Sequence, residues 1–564
     1  MVEGLLAPIN LLIAALGAGF LLPLIARSSL PLARVIFALT LVYLLIVPVV
    51  WLLRLIDGAA PVEILTAGIL PPFSINLRLG LYEAFVVTGV NLAALFGGWY
   101  LLEHLRERAS AMSVYLILGL GIGGMIMTRD LFNLFIFIEI TAIATYGLLA
   151  LQPKAAGLSA GFKSILATSL ASSFVLLGTM LLYHLTGTLN LDDMLQYQDR
   201  ITGPLGLIAA VLLVAGLLIE LKPYPANGWG LDVYESVPPG VAAMISVGVS
   251  SGALFGLYKV LPLMPEFLPL IAAVGGATFL ASNFIGLRQR NPRRLLGYSS
   301  IAQIGLLVLA LAILQGLDKT QYIPLVVGGL FINHLLAKAG LFWLSGLVER
   351  QQTKDWSVLR GQPFLLLLFG LLLTALAGFP PFPGFWGKWE LIMQLADGDM
   401  PGWLVLVLVG SLLEAAYLFR WFGLALVREG AQPAPALDLP LGKLLPVAVF
   451  APLLLASGQL IVGWLGLDPL VMLPVYAATI FYLLDFLPGR IKGGLMLLAF
   501  AAYHYLVMQD LQGLHWLFGL ILLGGSALIS IAVLHRDDIR KGFYPFLTLL
   551  LFSLGGLLQA GTTL

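Results

Sequence analysis

Apolar stretches of about twenty residues recur along nearly the whole chain, and they constrain its fold more than any other feature. A helix of about 20 apolar residues crosses the hydrocarbon core of a bilayer, and about eighteen such stretches fit between residues 5 and 564. Hydrophobic residues make up 60% of the chain and charged residues 10%, whereas soluble domains carry about 25% charged residues. The sequence therefore predicts an all-α polytopic membrane protein with about eighteen transmembrane helices.

The polar connections between these stretches are too short to form a soluble domain. The longest, at residues 187–204, 349–362 and 428–442, run to about 15 to 20 residues and cannot bury a core. Function is therefore expected within the membrane. The first apolar segment, residues 5–25, follows Glu3 and lacks a small-residue cleavage site, so we interpret it as a retained helix and not as a signal peptide.

Composition excludes several classes of chemistry. The chain contains no cysteine, so it has no disulfide, no thiolate metal ligand and no cysteine nucleophile. No run of basic residues with interleaved aromatic residues is present, and we expect no nucleic-acid partner. Nothing resembles a dedicated sodium site of clustered carboxylates and carbonyls, and we expect no metal, no cofactor and no catalytic chemistry on this chain.

Lysine and arginine collect in alternate connections, which predicts the orientation in the membrane. If the amino terminus lies outside, the basic clusters face the cytoplasm, as the positive-inside rule requires. The connections at 187–204 and 508–513, on the opposite side, carry almost no basic charge. We therefore predict a multi-pass protein of the cell inner (plasma) membrane with its amino terminus outside. The cytoplasmic basic residues are Arg106, Arg108, Lys154, Lys163, Arg288, Arg290, Arg293, Arg294, Arg350, Lys354, Arg360, Arg490, Lys492, Arg536, Arg540 and Lys541.

Glycine and proline interrupt two of the apolar stretches. These are ELKPYPANGWGLDVYESVPPG at 220–240 and LAGFPPFPGFWGKWE at 376–390. Helix breakers beside a lysine are typical of broken helices whose backbone faces a hydrated cavity. Because each segment holds one lysine, we predict an internal repeat whose halves contribute equivalent half-channels, with an inverted pair as one arrangement.

Four ionisable residues inside apolar stretches predict a path for ions. They are Glu139, Lys222, Lys338 and Lys388. Ionisable groups in hydrocarbon are costly and usually functional. A further carboxylate, Glu414, also lies within a stretch, and we expect it to pair with a nearby lysine.

Each of these residues also has a structural interpretation. Glu139 fits a carboxylate that only packs between helices. Lys222 has Glu220 beside it and could snorkel to the interface, and Lys388 could simply neutralise Glu390.

Five motifs in order resemble the antiporter-like subunits shared by respiratory complex I, Mrp-type cation/proton antiporters and membrane-bound hydrogenases. The resemblance covers roughly residues 75–430 and implies a fourteen-helix core built from two inverted five-helix repeats with broken helices. We accordingly assign residues 1–74 to amino-terminal helices, 75–430 to the antiporter-like core and 431–564 to additional carboxy-terminal helices. The motifs are TRDLFNLFIFIEITAIATYGLLAL at 128–151, the broken segment around Lys222, RRLLGYSSIAQIGLLVLAL at 293–311, NHLLAKAGLFWLSG at 333–346 and LAGFPPFPGFWGKWE.

The resemblance implies roles for the ionisable residues. Glu139 and Lys222 take the positions of a switchable pair, and moving their charges apart would make the lysine lose its proton more readily. Lys338 matches the central lysine of the eleventh helix, and Lys388 matches the terminal lysine or glutamate of the broken twelfth helix. His334 lies one helical turn before Lys338, on the same face. Together they would form a polar axis along which water relays protons.

One departure from the family concerns the eighth helix. Several family members place a lysine or histidine there, between the two halves. This chain has Ser246, Ser250 and Ser251 instead, with Lys259 only at the end. The axis would then depend on bound water or on Lys259 reaching back.

We therefore predict a proton-translocating subunit of a multisubunit membrane complex, most similar to the D-type subunit of an Mrp-type monovalent cation/proton antiporter. Its partners would be other membrane subunits, the lipid bilayer and protons, with sodium ions as a second cargo. Lys388 favours the Mrp type over complex I members with glutamate there. One alternative is a proton-pumping subunit of a redox-driven translocase, such as a complex I-like NADH:quinone oxidoreductase or a membrane-bound hydrogenase. Another is the membrane subunit of an inorganic-carbon-accumulating complex.

Overall fold

The structure is a computed structural model that describes residues 2–66, 68–105, 108–150, 155–426 and 439–465, with a few single positions up to 499. The carboxy-terminal helices predicted within residues 467–564 lie outside these ranges. The same is true of several basic residues used above to predict orientation, namely Arg106, Lys154, Arg490, Lys492, Arg536, Arg540 and Lys541.

The chain forms two compact units. The first unit consists of Met1–Ser282 and Leu296–Thr320, and the second of Asn283–Leu295 and Gln321–Leu564. The helices of the first unit, including the greater part of α10 and α11, are α1 (Asn10–Ser28), α2 (Leu30–Ile56), α3 (Leu81–Tyr100), α4 (Ala109–Met127), α5 (Leu131–Leu149), α6 (Ala155–Thr186), α7 (Pro204–Glu220), α8 (Gly228–Ser236), α9 (Pro239–Leu263), α10 (Pro265–Gly286) and α11 (Pro292–Gly316).

The second unit is built around one long helix. This helix, α12, packs against α13, α14 and α16, and α13 also packs against α15. The helices of the second unit are α12 (Thr320–Val348), α13 (Pro363–Ala377), α14 (Pro383–Asp397), α15 (Pro401–Ala425) and α16 (Leu441–Trp464).

Twelve helices in the described part of the chain are long and apolar enough to cross a membrane. Two shorter apolar helices, α7 and α13, are each followed by a break and a second helix, α8 and α14. The twelve spans and the two broken helices make fourteen in the described part of the chain, and three of them, α1, α2 and α16, lie outside residues 75–430. The prediction of an all-α polytopic membrane protein is confirmed.

Proline explains both breaks. Pro223 and Pro225 lie between α7 and α8, and Pro380 and Pro381 lie between α13 and α14. Proline has no N–H to donate and its ring clashes with the preceding helical turn. Both helices therefore stop inside apolar sequence, as the two breaker-rich segments predict.

A two-stranded sheet lies beside the turn between α4 and α5 in the first unit. Strands β1 (Val62–Leu65) and β2 (Asn76–Leu79) pair antiparallel and form the only sheet in the described ranges. An isolated bridge joins Leu77 of β2 to Thr128, which follows α4. The hairpin thus holds the turn between α4 and α5.

Polar residues in the turn after α4 cap the start of α5. Asp130 precedes this helix, and its carboxylate accepts a hydrogen bond from the backbone N–H of Asn133 at 2.7 Å. Burial raises the pKa of the Asp130 carboxyl, although backbone hydrogen bonds at the start of α5 oppose the rise. Asp130 also bridges Asn190, and Arg129 donates to the Asp192 carboxylate. These contacts fix the start of α5, the helix that carries the predicted glutamate.

Candidate functional site

Lys222 lies in the break between α7 and α8, deep inside the protein. Its side chain is 2% exposed, which excludes snorkelling to the interface. The backbone of Lys222 adopts a left-handed conformation with φ of 60°. This turn directs Nζ back to the main-chain carbonyl of Glu220, to which it donates at 3.2 Å. The ring of Trp229 lies 5.3 Å from Nζ and supplies a cation–π contact.

Gly230 makes room for the Lys222 side chain. A Cβ atom at this position would lie 2.5 Å from Lys222 Cδ and 3.0 Å from Cγ, so the lysine stem would have to move. The absence of a side chain on this turn of α8 is therefore what allows the lysine to fold back.

Glu139 faces the same region from α5 and is half-buried. No hydrogen bond or ion pair joins it to Lys222 within the described ranges. Instead, Glu220 interacts electrostatically with both Lys222 and Glu139, and Tyr146 interacts with both carboxylates. These four residues, Glu139, Tyr146, Glu220 and Lys222, form the first cluster.

Lys338, Lys388 and Glu414 form the second cluster, inside the second unit. Lys388 Nζ lies 3.3 Å from Glu414 Oε2, and Glu414 is completely buried. Lys338 is also completely buried and interacts electrostatically with the other two residues. The prediction that Glu414 pairs with a nearby lysine is confirmed.

The alternative pairing of Lys388 with Glu390 is wrong. The Glu390 carboxylate accepts a hydrogen bond from Gln394 Nε2 at 2.6 Å, one turn along α14. Lys388 follows Gly387 on a buried face and instead reaches α15, because residues two apart on a helix point in different directions. Sequence adjacency was therefore a poor guide to the ion pair.

His334 lies one turn before Lys338 on α12 and is 1% exposed. The preceding residue, Asn333, donates to the main-chain oxygen of Ala375 at 2.9 Å, near the end of α13. Gly378, the residue directly after α13, has a positive φ of 78°. A Cβ atom at Gly378 would lie 3.0 Å from Lys388 Nζ. The second break is therefore shaped around its lysine, as the first is around Lys222.

Lys259 is bound at the end of α4. Its Nζ donates to the main-chain oxygens of Met125 at 2.7 Å, Ile126 at 3.1 Å and Thr128 at 2.6 Å. An ammonium group has three hydrogens, and a cation is favourable at a helix carboxy terminus. Lys259 thus caps α4, and reaching back towards the serines of α9 would require breaking these bonds.

The serine-rich stretch of α9 has polar partners that the sequence interpretation missed. Ser246, in a π-helical turn at Ile245–Val249, shares a hydrogen bond of 2.7 Å with Ser300 of α11. Ser299 and Gln303 of α11 are buried as well. The signal in the sequence is the cluster of polar residues within five positions of the motif RRLLGYSSIAQIG, at Ser299, Ser300 and Gln303.

The family relationship follows from comparison with known proteins. Residues 128–414, about half of the chain, match the family described as NADH:quinone oxidoreductase/Mrp antiporter, transmembrane. The matched region contains both broken helices and every residue of the two clusters. The chain belongs to this family, and the predicted resemblance is confirmed.

Individual relatives come from both branches of the family. NADH-quinone oxidoreductase subunit N of Desulforudis audaxviator is 28% identical over 485 residues, which cover 81% of this chain and 95% of the relative. The D-type subunit of the Na(+)/H(+) antiporter of Alkalihalophilus pseudofirmus is 27% identical over 392 residues, or 66% of this chain and 78% of the relative.

A solved structure has a similar fold. It is a chain of the membrane-bound sulfane sulfur reductase, an archaeal respiratory membrane complex. The two chains superpose with a TM-score of 0.72 at 25% identity, covering 80% of this chain and 94% of the other. The similarity in fold thus extends over nearly the whole of the other chain.

Proposed function

We propose that this chain translocates protons through its two clusters, as one membrane subunit of a multisubunit complex. The main support is that each unit buries a lysine and a carboxylate at a broken helix. The two pairs are Lys222 with Glu220 and Lys388 with Glu414. Such groups are rare within membranes and mark proton relays. The family membership and the relatives named as subunits support both parts of the proposal.

The first cluster acts as a gate. In this structure the Lys222 ammonium is turned towards the Glu220 carbonyl, without an ion pair to Glu139 in the described part of the chain. A lysine in a low-dielectric site gives up its proton more readily when a nearby carboxylate moves away. Bringing Glu139 to Lys222 would hold the proton, and separating them would release it.

The second cluster carries the proton onward. Lys338 is the buried centre of α12, with His334 one turn away, and Lys388 lies at the second break. The contact between Lys388 and Glu414 holds the proton on Lys388 until the pair separates. We propose that Lys388 and His334 both carry protons.

Two kinds of complex fit this function. The preference for an Mrp-type antiporter rests on Lys388, and the matched Na(+)/H(+) antiporter chain supports it. The matched oxidoreductase chain and the respiratory sulfane sulfur reductase support a redox-driven complex equally. We further propose that the amino terminus lies outside the plasma membrane, following the distribution of basic residues.

Substitution of the gate tests the proposal. Glu139→Ala and Lys222→Ala should each lower proton movement by about tenfold or more, because proton transfer by a positioned group is lost. Proton movement would be measured with a pH-sensitive dye in inverted vesicles from cells that make the whole complex. Lys354→Ala and Glu266→Ala, at exposed positions away from both clusters, are the matched controls. Wild-type proton movement in the Lys222→Ala vesicles, at equal membrane yield, would rule out the gate.

A further inference from the structure

Glu220 is a buried carboxylate whose side chain has no evident structural purpose. It is the last residue of α7 and is 5% exposed. In the described part of the chain, its Oε1 atom is buried without a hydrogen-bond partner. A carboxylate buried in this way is costly, since it has lost water without gaining a donor.

The position of Glu220 on its helix makes the cost larger. The carboxy terminus of a helix carries partial negative charge, so an ionised carboxylate there is repelled. The fold would gain from a lysine at this point, and Lys222 two residues later occupies that favourable place. A negative charge kept at the unfavourable end of α7 therefore points to a role in function.

The surroundings of Glu220 contain the groups needed for proton exchange. The charged or titratable groups facing it are Lys222 from the break and Glu139 from α5, with Tyr146 of α5 also within electrostatic range. On α6, which packs against α7, Lys163 is already engaged with Asp232 of α8 at 2.6 Å. Lys222 is thus the cation that faces Glu220, and its Nζ is already bound to the main-chain oxygen of that same residue.

We infer that Glu220 is a further proton-carrying residue, which accepts the proton that Lys222 releases. In this step an N–H bond of the Lys222 ammonium breaks and an O–H bond forms on Glu220, so that a charged pair becomes a neutral amine and a neutral acid. The transfer requires the carboxylate and the ammonium group to meet directly or through a bridging water. The inference deepens the proposed function and rests on it.

Glu139 then has a distinct part in the gate. Its negative charge repels an ionised Glu220 and so favours the protonated carboxyl, while it attracts the Lys222 ammonium. Movement of Glu139 relative to α7 would shift the proton between Lys222 and Glu220.

The test compares Glu220→Gln, which keeps the shape but cannot take a proton, with Glu220→Asp, which can. Glu266→Gln makes the same chemical change at an exposed position and is the control. In inverted vesicles containing the whole complex, Glu220→Gln should lower proton movement by about tenfold or more and Glu220→Asp by less. Wild-type proton movement in Glu220→Gln vesicles would overturn the inference.

A spectroscopic readout separates a proton site from a structural role. The purified complex should show an infrared C=O stretching band of a protonated carboxyl that is lost in Glu220→Gln and retained in Glu266→Gln. Its persistence in Glu220→Gln would overturn the inference. If Glu220→Gln fails to insert, Lys222→Ala decides instead, because the band should change when the proton donor is removed, and an unchanged band would count against the transfer. If Lys222→Ala loses proton movement while Glu220→Gln keeps the wild-type level, only the inference on Glu220 is refuted. If Lys222→Ala keeps proton movement, the proposed gate itself is refuted.

Discussion

At the scale of single residues, the main feature of the second cluster is the buried ion pair between Lys388 and Glu414. Both side chains are almost fully removed from solvent, and their charged atoms lie 3.3 Å apart. Desolvating two charges costs nearly as much as their attraction returns, so such a pair adds little stability by itself. Stability alone therefore does not explain the pair, and we propose that it serves proton transfer.

Removing the pair one residue at a time and then together separates these roles. Lys388→Met and Glu414→Gln should each destabilise the protein by about 3–5 kcal/mol, because each leaves a buried charge without its partner. The double variant should lose less than the sum, as the coupling of neighbouring sites requires. Thermal unfolding of the purified complex would measure this cycle.

Proton movement should not follow stability in the same series. If Lys388 carries the proton, the double variant remains inactive even though its stability recovers. Recovery of proton movement together with stability would show that Lys388 only neutralises Glu414. Equal membrane yields of the three variants are the necessary control.

At the scale of elements, the two broken helices are shaped around their lysines by glycine. Gly230 on α8 lies against the stem of Lys222, and Gly378 at the end of α13 lies against the ammonium of Lys388. Lys222 lies in the first break itself, and Lys388 lies in the second turn of α14, shortly after the second break. The position of each lysine therefore depends on the glycine beside it.

Alanine substitutions on α8 test this packing. Gly230→Ala introduces a Cβ atom 2.5 Å from Lys222 Cδ and should displace the lysine. We expect about a tenfold loss of proton movement, as small misplacements of a transferring group cost at least this much. Gly228→Ala, two residues earlier, meets nothing within 4 Å and should transport normally. Normal transport by Gly230→Ala would contradict the packing argument.

At the scale of the whole molecule, the orientation in the membrane decides which way the protons move. The connections between successive spans are short, so the membrane side of one connection determines the membrane side of every other. The connection around Glu266 and the connection around Gln351 are separated by an odd number of spans, α10 to α12. They must therefore face opposite sides.

Cysteine labelling measures the orientation directly, since the natural chain has no cysteine to interfere. Glu266→Cys and Gln351→Cys both place the thiol at an exposed position. With the amino terminus outside, a membrane-impermeant maleimide should label Glu266→Cys in intact cells, and Gln351→Cys only after permeabilisation. The reverse pattern would mean that the positive-inside argument fails for this chain.

The sequence by itself determined the class of fold and most of the charged positions. Apolar length fixes the spanning helices, because the bilayer accepts little else. Proline beside lysine predicted the breaks after Glu220 and Ala377, where local chemistry suffices. Glu139, Lys222, Lys338 and Lys388 stood out because a charge within an apolar stretch is conspicuous without any structure.

Only the tertiary structure decided which charges meet. Lys388 pairs with Glu414, distant in sequence, and not with Glu390 two residues away. Lys259 caps α4 across the fold, and Ser246 finds Ser300 on another helix. Glu220 was only a sequence neighbour of Lys222 until its burial and its unpaired oxygen were visible. Partners of this kind depend on how helices pack, and helix packing is set by contacts between segments far apart in the chain, which no local pattern encodes.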